Sequence, residues 1–343
     1  MKLIIIISEF KDATLEQGFL SFSKTDNKFK YKFVTIISSE YTFKLDFIKQ
    51  CKNLFSQKPK AVILCRFINN LSFEIIKNCK VNNIKTIFFI DDYLYSVPEF
   101  IKKEKYSSKI FKNQLSQISQ QVDYIVTSTP ALKQNIENLN YKKRIFALND
   151  IRFHLYHDLR PFKRPHPVIG YMGSKSHKSE LDHIMPAINN LLLKNPNICF
   201  ETFGVKLDFK NIDNTIHKRI KCRNAVSGYK KFINKLNSLG WWVGLAPLFS
   251  NEFNRCKTIC KWIEYTECNV PMISSKVKPY INLGTKELVE NANDNEEWEE
   301  KILFLINNKS ERNKLIKKSN EYLRENYSSI KAIKRMQKIL DNI

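Results

Sequence analysis

Short apolar runs alternate along the whole chain with longer segments of helical periodicity. In the first half, six such runs are nearly continuous in Ile, Val, Leu and Phe, which is typical of strands covered on both faces. Strands separated by helices predict α/β units and parallel sheets. The predicted strands are residues 2–7, 33–37, 61–65, 86–90, 124–127 and 144–147, and the predicted helices between them include 45–54, 72–82 and 130–139.

Residues 157–167 interrupt this alternation with three prolines, three Lys or Arg side chains and no apolar period, which indicates a linker. The alternation then resumes. The predicted strands of the second half are residues 168–171, 199–203, 243–246, 271–274 and 288–290. The predicted helices are 179–194, 229–239, one that begins at Asn254, 298–305, one capped by Ser310, and a basic amphipathic helix at 328–340.

A chain of 343 residues is about the length of two domains. We predict two Rossmann-like, doubly wound α/β domains at residues 1–156 and 168–325, joined by the linker 157–167. A C-terminal helix at 326–343 is expected to cross back to the first domain. Paired sheets of this kind bind ligands in the cleft at the carboxyl ends of their strands.

Composition excludes some classes of protein. Hydrophobic residues make up 43% of the chain, enough for packed cores, so disorder is not expected. No apolar run reaches the roughly 20 residues of a membrane helix. The N-terminal apolar run, residues 3–7, is short and no small-residue cleavage site follows it, so a strand is favoured over a signal peptide and a cytoplasmic protein is expected.

The eight cysteines lie at 51, 65, 79, 199, 222, 256, 260 and 268, with no CxxC pair and no His at zinc-finger spacing. Several fall inside apolar runs and are interpreted as small buried hydrophobes. We therefore predict neither a metal site nor a disulfide framework.

The net charge of +23 is compatible with nucleic acid, an anionic membrane surface or a polyphosphate ligand as partner. It is spread along the chain: 24 Lys and Arg stand against 14 Asp and Glu in residues 1–150, and 33 against 20 in the rest. Nucleic-acid modules more often concentrate charge on one helix or arm, so nucleic acid is not expected. The densest cluster, residues 102–112, predicts either peripheral contact with an anionic membrane or an ordinary solvated helix face.

The segment 253–280, FNRCKTICKWIEYTECNVPMISSKVKPY, carries candidate chemistry. If a helix begins at Asn254, Lys257, Lys261 and Glu264 form a polar stripe at i, i+4 and i+7 beside an apolar stripe. Two lysines near a helix N-terminus suit a diphosphate, and a carboxylate two turns in can accept hydrogen bonds from a ribose diol. A salt-bridged solvent face is the alternative interpretation.

With these motifs the chain resembles the GT-B glycosyltransferases, specifically the retaining group 1 type in its bacterial surface-polysaccharide branch (lipopolysaccharide or capsule). The resemblance covers about the whole chain. It rests on a strand ending in APL (246–248), FNRCK (253–257), a KxxEY motif (261–265), a PxIxS strand (271–275) and PY (279–280). Further matches are VIGYMGSKSH (168–177), FFIDDYLY (88–95), VTSTP (126–130), Asn149 and EEW (296–298).

The resemblance implies a donor site in the second domain and an acceptor side in the first. It assigns the donor ribose to Glu264. Many members carry a second, sugar-contacting glutamate eight residues earlier, where this chain has Cys256. The glycine-containing turn after strand 168–171 is expected at the donor phosphates. The donor-binding candidates are Gly173, Ser174, Lys175, His177, Pro247, Asn254, Lys257, Lys261, Glu264 and Ser274.

Asp91 and Asp92 end a first-domain strand. Their DDY sequence is not the metal-binding DxD of other glycosyltransferases, and the two lysines already supply counter-charge, so no metal or other cofactor is expected. We interpret both as acceptor-side carboxylates in the cleft, and an N-cap role is the alternative.

The expected reaction moves a sugar from a nucleoside diphosphate to a hydroxyl of a glycan or lipid-linked glycan. Fixed positive groups would stabilise the departing diphosphate. The catalytic candidates are Lys257, Lys261 and Asp92. A sugar-nucleotide epimerase on the same scaffold and a basic nucleic-acid-binding protein are the alternative hypotheses. Neither the base, the sugar nor the acceptor can be predicted from the sequence.

Overall fold

The computed structural model describes residues 1–19, 30–101, 104–149, 159 and 162–343. Residues 157, 158, 160 and 161 of the predicted linker, and with them the predicted domain boundary at 156, lie outside this part of the chain. So do Lys102 and Lys103 of the predicted membrane-contact segment.

Two six-stranded sheets, parallel at every pairing, form the framework, as the alternating pattern predicts. The first has the order β2-β1-β3-β4-β5-β6 and the second β12-β11-β10-β7-β8-β9. The first-sheet strands are β1 (Lys2–Ser8), β2 (Tyr31–Ile37), β3 (Ala61–Cys65), β4 (Lys85–Ile90), β5 (Tyr124–Thr127) and β6 (Arg144–Ala147). The second-sheet strands are β7 (Val168–Met172), β8 (Cys199–Phe203), β9 (Ile220–Arg223), β10 (Val243–Ala246), β11 (Met272–Ser275) and β12 (Glu290–Ala292).

Helices cover both faces of each sheet and bury four apolar clusters. Those that follow strands of the first sheet are α1 (Ala13–Gly18), α2 (Lys44–Phe55), α3 (Asn70–Val81), α4 (Glu104–Ser107), α5 (Lys109–Gln121) and α6 (Pro130–Glu137). Those of the second half are α7 (Lys178–Lys194), α8 (Tyr229–Ser238), α9 (Glu252–Arg255), α10 (Cys260–Glu267), α11 (Ile281–Gly284), α12 (Asn295–Asn307), α13 (Lys309–Asn326) and α14 (Ser329–Asp341).

Most predicted elements are present, with four differences. Strand β9 was not predicted, and β12 begins two residues later than expected. The helix predicted from Asn254 is two helices, α9 and α10, separated by a non-helical stretch. Helix α13 begins after Asn308, so the prediction that Ser310 caps it was wrong.

The last helix lies against the first sheet, although it follows the second sheet in sequence. Ala332, Ile333, Met336, Ile339 and Leu340 are buried in one cluster with apolar residues of β1, β2 and β3. The chain therefore returns to the first half of the molecule at its end.

Candidate functional site

A cleft of about 430 Å³ lies between the carboxyl ends of the two sheets. From the first sheet it is lined by Thr14 after β1, Arg66 after β3, and Asp91 and Asp92 after β4. Each sheet has a point where the strand order reverses, between β1 and β3 in the first sheet and between β7 and β10 in the second. On either side of this point the connections to the next strand run in opposite directions. Open α/β sheets bind ligands at such switch points. The second half of the molecule contributes the lining residues Met172, Gly173, Ser174, His177, Phe203, Gly204, Ala225, Phe232, Leu248, Lys257, Thr258, Cys260, Lys261, Glu264 and Tyr280.

Two glycines form the floor of the cleft beside β7 and β8. Gly204 has a φ of +91°, and a Cβ built on it would lie 2.4 Å from the carbonyl oxygen of Gly173. A Cβ on Gly173 would lie 2.8 Å from the Tyr171 hydroxyl. A side chain at Gly204 would push the two loops apart, and one at Gly173 would displace the Tyr171 ring. The backbone of this floor is therefore open to close approach by a ligand.

Helix α10 is fixed at the cleft by Tyr265. Its hydroxyl accepts a hydrogen bond from the Met172 amide of β7 at 3.1 Å and donates one to the Leu245 carbonyl of β10 at 3.1 Å. The ring packs over Gly244, where a Cβ would lie 2.7 Å from it. The absence of a side chain at Gly244 lets the helix lie directly on the sheet.

The start of α10 is where the sequence prediction was wrong in detail. Asn251, not Asn254, caps the preceding helix α9, and Lys257 lies in the stretch between α9 and α10. The true N-terminus of α10 has Ile259 at the N-cap and no side-chain capping hydrogen bond. The apolar side chain of Ile259 cannot accept a hydrogen bond from the first amide groups of α10, and Thr258, Cys260 and Lys261 at this end line the cleft.

Lys257 and Lys261 both reach the cleft, although not from one continuous helix. Lys257 Nζ lies 4.7 Å from the centroid of the Phe253 ring and 3.8 Å from Asp92 Oδ1. Lys261 Nζ lies 4.6 Å from the Tyr171 ring centroid and donates to its hydroxyl at 3.3 Å. Burial lowers the pKa of Lys261 to about 8, and the charge of Lys257 adds to this, while Glu180 and Glu264 oppose it. Two cations and a helix N-terminus thus converge on one wall.

Glu264 is buried, with 7% of its surface exposed, and lines the same cleft one turn beyond Lys261. Phe203, Ala225 and Phe232 supply an apolar wall nearby. The cleft therefore combines a cationic end, a carboxylate and an apolar face.

His177 lies at the end of the 3₁₀ turn Lys175–His177 that leads into α7. Its Nδ1 is 2.6 Å from Oε2 of Glu180, a carboxylate that is 1% exposed. The other carboxylate oxygen, Oε1, accepts a hydrogen bond from Asn254 Nδ2 at 2.6 Å. Asn254 therefore connects α9 to the first turn of α7, and, contrary to the prediction, it does not line the cleft.

The two aspartates after β4 have different surroundings. Asp91 is buried, accepts from Thr14 Oγ1 at 2.5 Å, and lies 3.2 Å from an Arg66 guanidinium nitrogen. Burial raises the pKa of Asp91, while Arg66 opposes this. Asp92 is more exposed and faces Lys257. Neither aspartate caps a described helix, which leaves Asp92 as the carboxylate at the junction between the two sheets.

Several predicted site residues do not line the cleft, all of them within the described residues. Lys175 is exposed and borders a neighbouring groove with Arg223. Pro247 is buried after β10. Ser274 is fully buried, and its hydroxyl accepts from Asn291 Nδ2 at 3.0 Å. Ser274 thus belongs to a strand behind the site and Pro247 directly follows one, whereas Lys175 lies outside it.

Cys256 is 1% exposed and packs with apolar residues of the first half of the chain. Its carbonyl accepts from Thr129 Oγ1 at 2.9 Å, and Asn135 Nδ2 lies 3.2 Å from its sulfur. Burial raises the pKa of its thiol to about 12. The side chain that occupies the expected glutamate position is thus an interdomain contact.

Sequence reasoning missed part of the cleft. Arg66 and Gly204 directly follow predicted strands, so the rule that ligands lie at strand carboxyl ends would have identified both. Thr14 and Phe232 lie on helices and carry no comparable signal. The HxxE spacing of His177 and Glu180, i and i+3 at a helix start, was an available signal for their pairing.

Across the described residues, no group of three or more His, Cys, Asp or Glu is arranged to hold a metal ion. Over the same residues, no helix is both long and apolar enough to cross a membrane. Whether the protein needs a metal stays a prediction.

The sequence matches no protein-family model and no curated protein. Solved structures do resemble it. A Staphylococcus aureus TarM variant in complex with fondaparinux, α-GlcNAc-glycerol and UDP has a TM-score of 0.60 at 13% identity, over 84% of this chain and 58% of that one. The chain thus spans a little over half the length of TarM.

Other structures match end to end. HepE of Anabaena, in complex with UDP and glucose, has a TM-score of 0.61 at 11% identity over 100% of both chains. A putative UDP-N-acetylglucosamine 2-epimerase from Listeria monocytogenes has a TM-score of 0.56 at 12% identity, over 94% of this chain and 92% of that one. The chain therefore has the GT-B fold of glycosyltransferases, a fold that it shares with such epimerases.

Proposed function

We propose that the protein is a glycosyltransferase that moves a sugar from a nucleoside diphosphate donor to a hydroxyl of a glycan or lipid-linked glycan acceptor. One observation carries the proposal. The cleft at the switch points of both sheets combines two lysines, a helix N-terminus without a side-chain cap, a glycine floor and a buried glutamate. The structural resemblance to TarM and HepE, both solved with UDP, supports UDP as the nucleotide.

The positive groups of the cleft explain how the transfer step would be catalysed. As the bond from the sugar to the diphosphate breaks, negative charge develops on the leaving phosphate. Lys257, Lys261 and the amide groups at the start of α10 are fixed around that position and stabilise it. These groups supply positive charge without a metal ion, so we infer that catalysis is metal-independent and that excess EDTA leaves the rate unchanged.

Glu264 is proposed to accept hydrogen bonds from the ribose diol, and the wall of Phe203, Ala225 and Phe232 to hold the base. Asp92, beside Lys257, faces the acceptor side and is the proposed carboxylate for the acceptor hydroxyl.

The family resemblance adds retention of the anomeric configuration. It also adds a role in surface-polysaccharide biosynthesis at the cytoplasmic face of the membrane, with the basic surface contacting anionic lipid.

The test is a thermal-shift panel of UDP, GDP, dTDP, CMP and their sugars on the wild type, Glu264→Ala and Glu252→Ala. Glu252 is an exposed carboxylate of α9 and serves as the matched control. We expect UDP and its sugars to raise the melting temperature of the wild type and of Glu252→Ala, and the shift to shrink in Glu264→Ala. A panel with no shift, or an undiminished shift in Glu264→Ala, would remove the donor-site assignment.

The end-to-end structural match to a putative epimerase supports one alternative, a sugar-nucleotide epimerase. An epimerase converts UDP-N-acetylglucosamine alone into its 2-epimer, whereas a transferase needs an added acceptor hydroxyl to form its product. Incubation with the sugar nucleotide alone, followed by NMR of the sugar, separates the two.

A further inference from the structure

The buried carboxylate of Glu180, which contacts the cleft residue His177, has no role in the proposed function. It lies in the first turn of α7 with 1% of its surface exposed. His177 Nδ1 is 2.6 Å from one carboxylate oxygen, and Asn254 Nδ2 donates to the other at 2.6 Å. A buried carboxylate is costly unless its oxygens are hydrogen-bonded, and here both are.

The charge on Glu180 follows from its neighbours. Burial opposes ionisation, but the His177 hydrogen bond and the positive charges of Lys261 and Lys257 outweigh it and lower the pKa of Glu180. The group is a carboxylate at neutral pH and can only accept hydrogen bonds. The proton in the short contact therefore lies on Nδ1 of His177.

The same surroundings determine the protonation state of the other ring nitrogen, Nε2. Burial, together with the charges of Lys261 and Lys257, lowers the pKa of His177 to about 4, and Glu180 only partly opposes this. The ring is neutral at pH 7, with the proton on Nδ1 and a lone pair on Nε2. His177 lines the cleft, and no described residue hydrogen-bonds Nε2.

We propose that His177 accepts, through Nε2, a hydrogen bond from a hydroxyl of the sugar being transferred, and that Glu180 is the positioning residue that fixes this tautomer. The inference rests on the proposed function, since it assigns a part of the same donor. It changes the expected role of His177 from a phosphate contact to a sugar contact.

The assignment follows from hydrogen-bonding chemistry. Phosphate oxygens at neutral pH are acceptors, so a lone pair on Nε2 cannot bind them. On a nucleoside diphosphate sugar, the donors closest to the diphosphate are sugar and ribose hydroxyls, and Glu264 is the proposed ribose partner. His177 lies beside the two lysines proposed to hold the diphosphate, which places its ring at the adjoining sugar.

The tautomer can be measured without a ligand by ¹⁵N NMR of the protein labelled in its six histidines. His177→Ala identifies the resonances. In the wild type we expect a protonated Nδ1 and an unprotonated Nε2 from pH 6 to pH 8, with no titration in that range. Glu180→Gln should populate both tautomers, because an amide can donate as well as accept. A protonated Nε2, or a titration near the ordinary pKa of about 6.5, would overturn the proposal.

Calorimetric binding of UDP, UDP-glucose and UDP-N-acetylglucosamine identifies which part of the donor His177 contacts. In His177→Ala, affinity for the UDP-sugar that the wild type prefers should fall about 3- to 10-fold, as for one lost hydrogen bond, while affinity for UDP changes less than about twofold. Glu180→Gln should show the same split, and His177→Gln, whose amide oxygen can accept, should recover part of the loss. The exposed His166→Gln is the control.

An equal loss for UDP and the UDP-sugar would make His177 a nucleotide contact and refute the proposal. If the wild type binds no UDP at all, the proposed function fails instead. The unliganded NMR result would still stand, so the two failures are distinguishable.

Discussion

The ammonium group of Lys261 is buried, and burial disfavours its charged form. Its Nζ rests on the Tyr171 ring and donates to the hydroxyl of that ring, and Lys257 lies nearby with the same charge. The carboxylates of Glu180 and Glu264 offset only part of this effect, so the pKa of Lys261 is about 8. The group is thus mostly charged at pH 7 and would gain a strong partner from a bound diphosphate.

A pH dependence of nucleotide binding follows. The pKa of Lys261 is lowered, so its charge is complete well below pH 8 and is lost as the pH rises through 8. Affinity for UDP should therefore fall above pH 8, by up to about tenfold one unit higher if the charge is essential. In Lys261→Arg the guanidinium stays charged and the decline should be much smaller.

Calorimetric titration of both proteins from pH 7 to pH 9 measures this difference. The arginine variant binds the same ligand, so any titration of UDP itself appears in both curves. Parallel curves for the two proteins would show that Lys261 does not titrate in the complex or does not contact the diphosphate.

The junction of α9 and α10 shows what local pattern can and cannot predict. Lys257, Lys261 and Glu264 follow helical spacing, and all three reach the cleft, so their selection did not depend on where the helix starts. The break does depend on tertiary contacts. Cys256 packs into the first half of the chain and is bonded by Thr129 and Asn135, partners more than a hundred residues away in sequence.

Strand β9 was missed for a related reason. Most strands are apolar because helices cover both faces, but β9 is at the sheet edge and has the sequence IKCR. Its polar Arg223 pairs with the buried Glu201 of β8, an ion pair that no local pattern indicates. Central strands were therefore predictable, whereas this edge strand and the buried pair Arg66–Asp91, whose members follow different strands, were not.

At the scale of the loops, two glycines with similar positive φ provide a comparison. Gly204 and Gly228 have φ of +91° and +86°, but only at Gly204 would a Cβ clash, whereas nothing lies within 4 Å of one at Gly228. Both alanine variants should lose roughly 1–3 kcal/mol from backbone strain alone. Gly204→Ala should lose clearly more, and also lose affinity for UDP, because Gly173 must move.

Urea unfolding and UDP binding of the two variants measure this. Equal stabilities would mean that the loops after β7 and β8 relax without cost. Unchanged UDP affinity in Gly204→Ala would mean that the ligand does not approach the glycine floor.

For the whole molecule, the two sheets place complementary chemistry on opposite sides of one cleft. The second half supplies cations, a helix N-terminus and glycines, while the first supplies Asp92 and the Arg66–Asp91 pair. Glu16 of α1 adds a contact across the gap, since its carboxylate accepts the Tyr229 amide at the start of α8 at 2.6 Å. The cleft lies between halves that are far apart in sequence, so its shape depends on how they are held together.

Helix α14 contributes to that arrangement from the far side of the first sheet. Arg335 near its middle donates to the carbonyl of Asn149 after β6, and Asp341 at its end accepts from Tyr31 at the start of β2 at 2.5 Å. Leu340 is fully buried against the sheet, while Ile330 on the same helix is 59% exposed. The apolar face of the first sheet therefore depends on residues from the end of the chain.

This arrangement gives a paired stability prediction. Leu340→Ala removes buried methyl groups from a filled core and should destabilise the protein by about 3 kcal/mol, whereas Ile330→Ala should change stability by less than about 0.5 kcal/mol. Urea unfolding followed by intrinsic fluorescence measures both values. If Leu340→Ala costs no more than Ile330→Ala, α14 does not hold this position in solution. The first sheet would then need another cover for Ile4 and Ile6, which pack in the same cluster.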